Sequence, residues 1–328
     1  MHLMLGMACA AIAVAVMLAA GSSPGIAGAV ERKLTIDGLA LTYLRPEGND
    51  RAPLAVIIAG SGPTDRDGNS LQGLKTDAYK QLAEALADLG IATVRYDKRG
   101  LGGSAELGRD EQQLTIDVFA KDAQAIAKWA RQLPNVGAIL LIGHSEGGVL
   151  ALMAAKTAAA KAVVLLSAPG RPLGQILRDQ LARPALPPDL RSEALEIIAA
   201  LERGEEIKTV RSDLEPLFRP SVQPFMRSWI KTDPALLLRG LDVPALVIGG
   251  GRDIQVGRAD FDALVAARAG VKSTWYPHMG HTLKVTGEDL QSQGKAYMDP
   301  TLALADGLAN GVARFIHEAT SGASKARR

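Results

Sequence analysis

Cysteine is nearly absent: one residue in 328. That excludes an internal disulfide framework and any cysteine-based zinc site. Charge of a single sign is absent too, since 37 Lys+Arg stand against 35 Asp+Glu for a formal charge of +2. No Lys/Arg block occurs before the last few residues, so non-specific binding to nucleic acid or another polyanion is not expected. Beyond the N-terminus there is no apolar run long enough to span a bilayer. What is present is ordinary for a globular chain: 47 % of residues are apolar and 22 % are charged, enough for one large domain or two small ones.

The first thirty residues carry no Asp, Glu, Lys or Arg. Residues 3–20 are almost continuously apolar, a Gly/Ser/Pro stretch follows, and then comes Ala27-Gly28-Ala29. This order reads as an export signal, residues 1–29, cleaved after Ala29 and delivering a periplasmic or secreted protein. His2 is the only cationic candidate ahead of the apolar run. The alternative is a membrane anchor through residues 3–20, which are long enough to cross. Cys9 lies too early in the run for a lipoprotein site. Cleavage would leave a mature chain without cysteine, which suits an oxidising compartment.

From Glu31 onward strand and helix patterns alternate. Residues 32–36 and 41–45 predict a β-hairpin around Asp37-Gly38. Continuous apolar runs at 54–59, 91–96, 138–142, 162–166 and 243–249 predict strands buried on both faces, and 272–276 predicts another. Helical spacing marks 76–89, 115–133, 145–156, 258–268 and 301–318. The pattern implies an α/β fold with a mostly parallel central sheet flanked by helices. Residues 171–239 break the alternation, with helical segments near 173–183, 190–203 and 223–231 and no strand. They read as a helical cap inserted between core segments 30–170 and 240–320, over the carboxyl ends of the strands where such sheets place ligands. Residues 321–328 form a small, basic, solvated tail.

The strongest local signal is Ile142-Gly143-His144-Ser145-Glu146-Gly147-Gly148, a Gly-x-Ser-x-Gly run between a predicted buried strand and a predicted helix. A nucleophile on so sharp a turn holds strained backbone angles, and Gly143 and Gly147 remove the side chains that would clash. The turn lifts the Ser145 hydroxyl above the sheet and aims the N–H of Glu146 at the same point. In this context the sequence resembles the α/β-hydrolase superfamily, over nearly all of residues 31–320. The resemblance implies a serine hydrolase with a Ser-acid-His order and no metal or organic cofactor.

Ser145 needs a base. His2 lies in the signal, His144 sits beside the nucleophile and is expected to point elsewhere, and His317 falls in the last helix. The superfamily carries its histidine in the loop after the final strand, which implies His281 in Gly280-His281, with His278 an ordinary loop residue. The acid follows the sixth or seventh strand. No carboxylate follows residues 162–166, whereas Gly249-Gly250-Gly251-Arg252-Asp253 follows the later strand and implies Asp253; a helix-capping role is its alternative. Asp260 and Asp262 read as surface residues of the next helix. The second oxyanion donor is expected from the loop after the third strand, at the N–H of Ser61, with Gly62 as runner-up. Many relatives have His-Gly where this chain has Ala59-Gly60. The run GSGPTDRDGN is similar to that of a bacterial esterase subgroup acting on short acyl esters. Within it, Asp65, Arg66 and Asp67 are expected to brace the loop by ion pairs; the alternative has Arg66 meeting a substrate carboxylate.

Tyr96-Asp97-Lys98-Arg99-Gly100-Leu101-Gly102-Gly103-Ser104 resembles a run common after the fourth strand of this superfamily. It reads as a structural turn, with Asp97 and Arg99 paired to each other, because neither Walker nor Rossmann spacing follows. Phe225, Met226 and Trp229 read as cap core that could also line an acyl pocket. The function expected is hydrolysis of a small-molecule carboxylic ester by Ser145, His281 and Asp253 through an acyl-enzyme. A thioesterase or aminopeptidase-like serine hydrolase is the alternative on the same machinery, and a non-catalytic binding module is the alternative of another class.

Overall fold

The computed structural model describes residues 29–321, apart from residue 49 and residues 183–186. The export segment expected at 1–29, with Cys9, lies outside the described residues except for Ala29, and so does the basic tail beyond Ser321. Among the described residues, no helix is long and apolar enough to cross a membrane.

Eight strands form one sheet: β1 (Ala29–Ile36), β2 (Leu39–Pro46), β3 (Ala52–Ile58), β4 (Ala92–Tyr96), β5 (Val136–His144), β6 (Val163–Leu166), β7 (Ala245–Gly250) and β8 (Lys272–Tyr276). Their order is β1-β2-β4-β3-β5-β6-β7-β8. Only β2 runs antiparallel to its neighbours; β4 through β8 pair in parallel. The β1–β2 hairpin turns at Asp37-Gly38, both with positive φ, as a two-residue primed turn requires.

β3 and β6 are apolar at every position because both faces are covered, whereas β4 carries the buried Thr93 and an ion-paired Arg95. Leu54, Val56 and Ile58 of β3 pack into one cluster while Ala55 and Ile57 pack into the other. The first cluster is closed by helices α2 (Ile116–Ala130) and α3 (Glu146–Ala155), the second by α1 (Ala78–Asp88) and α11 (Leu308–Ser321). Each such Leu, Ile or Val contributes about 1.5–3 kcal/mol by leaving water. This is the mostly parallel, helix-flanked architecture that the α/β-hydrolase resemblance implies.

Between β6 and β7 the described residues form five α-helices, α4 (Leu173–Leu181), α5 (Pro188–Arg203), α6 (Glu215–Phe218), α7 (Gln223–Ile230) and α8 (Pro234–Arg239). Sequence periodicity marks α4, α5 and α7. It misses α6 and α8, which are too short to show a stripe. After β7 comes α9 (Arg258–Ala266), and after β8 a helix absent from the prediction, α10 (Leu290–Met298), which buries only Gln293 and Ala296. The last helix begins seven residues later than its predicted start at 301, because Gly307 turns with φ 76° before it.

Candidate active site

β5 ends at His144 and α3 begins at Glu146, so Ser145 alone makes the turn, with φ 52° and ψ −126°. A non-glycine residue held there costs about 1–3 kcal/mol. Its N–H donates to the Leu166 carbonyl at 3.0 Å, which ties the turn to β6. The flanking glycines are sterically required: a Cβ on Gly143 would lie 2.1 Å from the Gly147 carbonyl oxygen, and one on Gly147 would lie 2.1 Å from that of Ile58. Because β3 pairs with β5 through Ile58 and Gly143, the chain leaving β3 emerges against this turn. A Cβ on Gly60 would come within 3.1 Å of the Ser145 Cβ.

The strands on the other side deliver the candidate acid and base. Asp253 follows β7, His281 follows β8, and His281 Nδ1 lies 2.8 and 3.0 Å from the two Asp253 carboxylate oxygens. Asp253 Oδ1 also accepts the N–H groups of Gln255 at 2.8 Å and Val256 at 2.9 Å. It does not cap α9, whose N-cap residue is Gly257. Burial is the largest influence on the Asp253 carboxyl and opposes its ionisation. The charge and hydrogen bond of His281, joined by the two N–H groups, outweigh burial and hold the carboxyl below its ordinary range. Ser145 and His281 are both buried. The His144 ring, adjacent in sequence to Ser145, has its centroid 4.7 Å from that of His281. Among the described residues, His281 is hydrogen-bonded to Asp253 but not to the Ser145 hydroxyl. His278 is exposed beside a surface depression that Lys295 also lines, and the exposed His317 donates from Nε2 to the Leu89 carbonyl at 2.9 Å.

His144 does not point away from the site, contrary to expectation. Its Nε2 lies 2.8 Å from the His281 carbonyl oxygen and its Nδ1 lies 2.7 Å from the Tyr79 hydroxyl. A carbonyl only accepts, so Nε2 carries the proton and Nδ1 accepts from Tyr79. The Tyr79 oxygen in turn accepts the Gly60 N–H at 3.1 Å. Burial first, and the charge of His281 second, push the His144 pKa down to about 3, so this imidazole stays neutral. Burial likewise raises the Tyr79 phenol above its ordinary value. Sequence reasoning misses this relay because two of its four members are main-chain atoms.

The expected Asp97–Arg99 pair is not formed. Asp97 binds Arg66 at 2.6 Å, and Arg99 binds Asp122 at 2.6 Å. Arg66 is thus occupied inside the loop, and Asp67 pairs with Arg95 at 2.6 Å, so ion pairs do brace the 61–69 segment. Asp260 is not a surface residue: it is buried and paired with Arg171 at 2.8 Å. Lys98, unassigned by the sequence, is buried and donates both to the Gly60 carbonyl at 2.6 Å and to the Glu146 carboxylate at 3.0 Å.

Ser61, Gly62, Ser145 and Glu146 line a cavity of about 720 Å³, roofed by Leu173, Ile176 and Leu177 of α4 and by Phe225, Met226 and Trp229 of α7. The three residues of α7 therefore serve both the cap core and the cavity wall. The carboxylates in the lining are Glu111 and Glu146, and each already holds a cation, Arg219 and Lys98 respectively. Among the described residues, no group of three or more His, Cys, Asp or Glu is arranged to hold a metal ion.

Residues 73–286 match the family model described as serine aminopeptidase, S33. Among curated proteins, the chain is 29 % identical over 272 residues to esterase EstD of Thermotoga maritima, covering 79 % of this chain and 61 % of that protein. The chain thus spans about three-fifths of that relative's length. Among solved structures, Est1E from Butyrivibrio proteoclasticus superposes with a TM-score of 0.54 at 18 % identity, covering 90 % of this chain and 99 % of that one. Proline iminopeptidase from Mycobacterium smegmatis gives 0.55 at 18 % identity, with 90 % and 100 % covered. At these identities the two structures bear on the fold alone.

Proposed function

The chain belongs to the serine aminopeptidase S33 family of α/β hydrolases, and from that premise we propose that it is a serine hydrolase of carboxylic esters. The observations that carry the reading are the buried Asp253–His281 pair, whose imidazole packs on the His144 ring next to Ser145, and a strained serine turn that lines a mostly apolar cavity.

In this reading rotation of the Ser145 side chain brings its Oγ to His281 Nε2, a contact that free enzymes often leave loose. Oγ attacks the ester carbonyl carbon as its proton passes to Nε2, and the carbonyl electron pair moves onto oxygen. Asp253 holds the Nδ1 proton and stabilises the imidazolium. The N–H groups of Glu146 and Ser61 receive the oxyanion, each typically worth roughly 3–4 kcal/mol. Collapse expels the alkoxide, which takes the proton from Nε2. Water, deprotonated by the same nitrogen, then repeats the sequence to release the acid and restore Ser145.

Ester is favoured over peptide substrate on electrostatic grounds. An aminopeptidase must meet a substrate ammonium with an uncommitted carboxylate, and both lining carboxylates are already ion-paired. The GSGPTDRDGN loop favours a short acyl group. The cavity holds more than that, so the alcohol portion shares the apolar wall. Export through residues 1–29 belongs to the same reading, and N-terminal sequencing of the mature protein tests it.

The decisive experiment labels intact protein with a fluorophosphonate and compares p-nitrophenyl esters of increasing acyl length with aminoacyl anilides. Expected are labelling that Ser145→Ala abolishes, fastest turnover on short acyl esters, and negligible anilide cleavage. Equal labelling of S145A defeats the reading, and anilide rates above ester rates replace it with a peptidase.

A further inference from the structure

Lys98 and Glu146 are 4 % and 1 % exposed, and both border the cavity at Ser145. A buried ion pair is a poor source of stability, because desolvating two charges offsets most of their attraction. The partners of this pair give it a different meaning. The Lys98 ammonium has three protons. One goes to the Glu146 carboxylate at 3.0 Å and one to the Gly60 carbonyl at 2.6 Å. The nitrogen also lies 5.5 Å from the centre of the Phe119 ring, within cation–π range.

The Gly60 carbonyl and the Ser61 N–H are the two ends of one peptide unit. That unit is planar and trans, so its N–H points opposite to its carbonyl. A cation that fixes the carbonyl therefore fixes the direction of the N–H and polarises it as a donor. Among the described residues, the Ser61 N–H donates to no backbone carbonyl. On the far side of the same ammonium stands Glu146, whose own N–H opens α3 and has no intrahelical acceptor. One buried cation is thus bonded to both segments that border Ser145: to the main chain of one and the side chain of the other. The Gly60 N–H, which belongs to the preceding peptide unit, is held by Tyr79, so the chain is also fixed on the N-terminal side of Gly60.

We propose that Lys98 is a positioning residue for the oxyanion site. It sets the distance and direction of the Ser61 and Glu146 N–H groups, and Glu146 is its anchor. The inference rests on the serine-hydrolase reading above. In that scheme Lys98 touches no reacting atom and exchanges no proton. It acts only where negative charge develops on the carbonyl oxygen, so its removal lowers kcat rather than raising KM.

The test uses the full chain with p-nitrophenyl acetate and a trifluoromethyl ketone, which forms a tetrahedral adduct with an oxyanion. Lys98→Met is expected to lower kcat about 10- to 100-fold, somewhat less than outright loss of a donor. KM should stay within about threefold, and ketone affinity should fall in parallel with kcat/KM. The acid limb of the pH–rate profile should not move, because Asp253 and His281 are untouched. K98M strands the Glu146 carboxylate, so the double variant K98M/E146M, which removes both charges, is made beside it. It is expected to fold and to show the same kcat loss. The proposal is overturned by kcat within twofold of wild type in either folded variant, by a loss confined to KM, or by ketone affinity that does not follow kcat/KM. Failure of both variants to fold assigns the pair to stability and overturns it as well. Wild-type protein inert to ester and fluorophosphonate defeats the hydrolase reading itself, whereas active wild type with an equally active K98M defeats only the role of Lys98.

Discussion

Replacing Tyr79 by Phe removes one oxygen and orphans two buried groups. The Gly60 N–H loses its acceptor at 3.1 Å, and His144 Nδ1 loses its donor at 2.7 Å. A buried donor or acceptor left unpaired costs about 1–3 kcal/mol, so the pair sets a range of about 2–6 kcal/mol. Single substitutions seldom exceed about 4–5 kcal/mol, which places the expected loss at about 2–4 kcal/mol. Phe retains the apolar contacts of the ring, so little of this arises from packing. The void left by a hydroxyl is too small for a replacement water. Equilibrium unfolding in guanidinium chloride measures the loss directly. A double-mutant cycle with His144→Leu then isolates the link. Once the imidazole is gone, deleting the hydroxyl strands only the Gly60 N–H, and the double variant should lose about 1–2 kcal/mol less than the sum of the singles. A Y79F variant within 0.5 kcal/mol of wild type, or a strictly additive cycle, would refute the relay.

Further outcomes follow from the same geometry. Asp253→Asn should lower kcat by about three to four orders of magnitude with KM little changed, because the imidazole loses the acceptor that fixes its tautomer; steady-state kinetics on p-nitrophenyl acetate decide it. Burial pushes the His144 pKa down to about 3 in the folded chain, against an ordinary value of 6.5. The unfolded chain therefore binds a proton between those values that the native chain does not, and stability falls as pH falls through that window by about 1.4 kcal/mol per pH unit. From pH 6.5 to 5, H144L should lose about 2 kcal/mol less than wild type in guanidinium unfolding, and parallel losses would contradict the assignment. The Asp253 carboxyl is depressed below its ordinary value of 3.8. Its stabilisation is therefore complete above that value and lost only as pH falls toward the folded value. D253N should show a shallower acid-unfolding limb below about pH 4, measured by far-ultraviolet circular dichroism. Trp229→Ala should deepen the cavity wall and shift the preferred p-nitrophenyl ester toward longer acyl chains; an unchanged preference would place the acyl group elsewhere.

Much of the arrangement was legible before any coordinate, and the reason is steric. A sharp turn between a buried strand and a helix admits only glycine at Gly143 and Gly147, so the letters around Ser145 disclose the geometry. Strands covered on both faces are mostly apolar, and each predicted sheet strand matches an observed one to within three residues at either end. Asp253 and His281 come from the ends of β7 and β8, where the superfamily resemblance directed the search. What stayed hidden depends on the main chain or on contacts remote in sequence. Lys98 binds the Gly60 carbonyl and His144 binds the His281 carbonyl, and no letter encodes a carbonyl. Asp97 and Arg99, two positions apart, suggest mutual pairing, yet their true partners Arg66 and Asp122 lie on other elements. Helix α10 buries too few residues to print a period, and it escaped for that reason.

The order in which the sheet draws on the chain has a consequence for biosynthesis. Ser145 leaves the ribosome while the segments that bear Asp253 and His281 have yet to be translated. The nascent polypeptide at that stage owns its alcohol but nothing to deprotonate it. On the proposed hydrolase reading, reactivity arrives only when the last two strands have docked, and any product truncated before that point should be chemically silent.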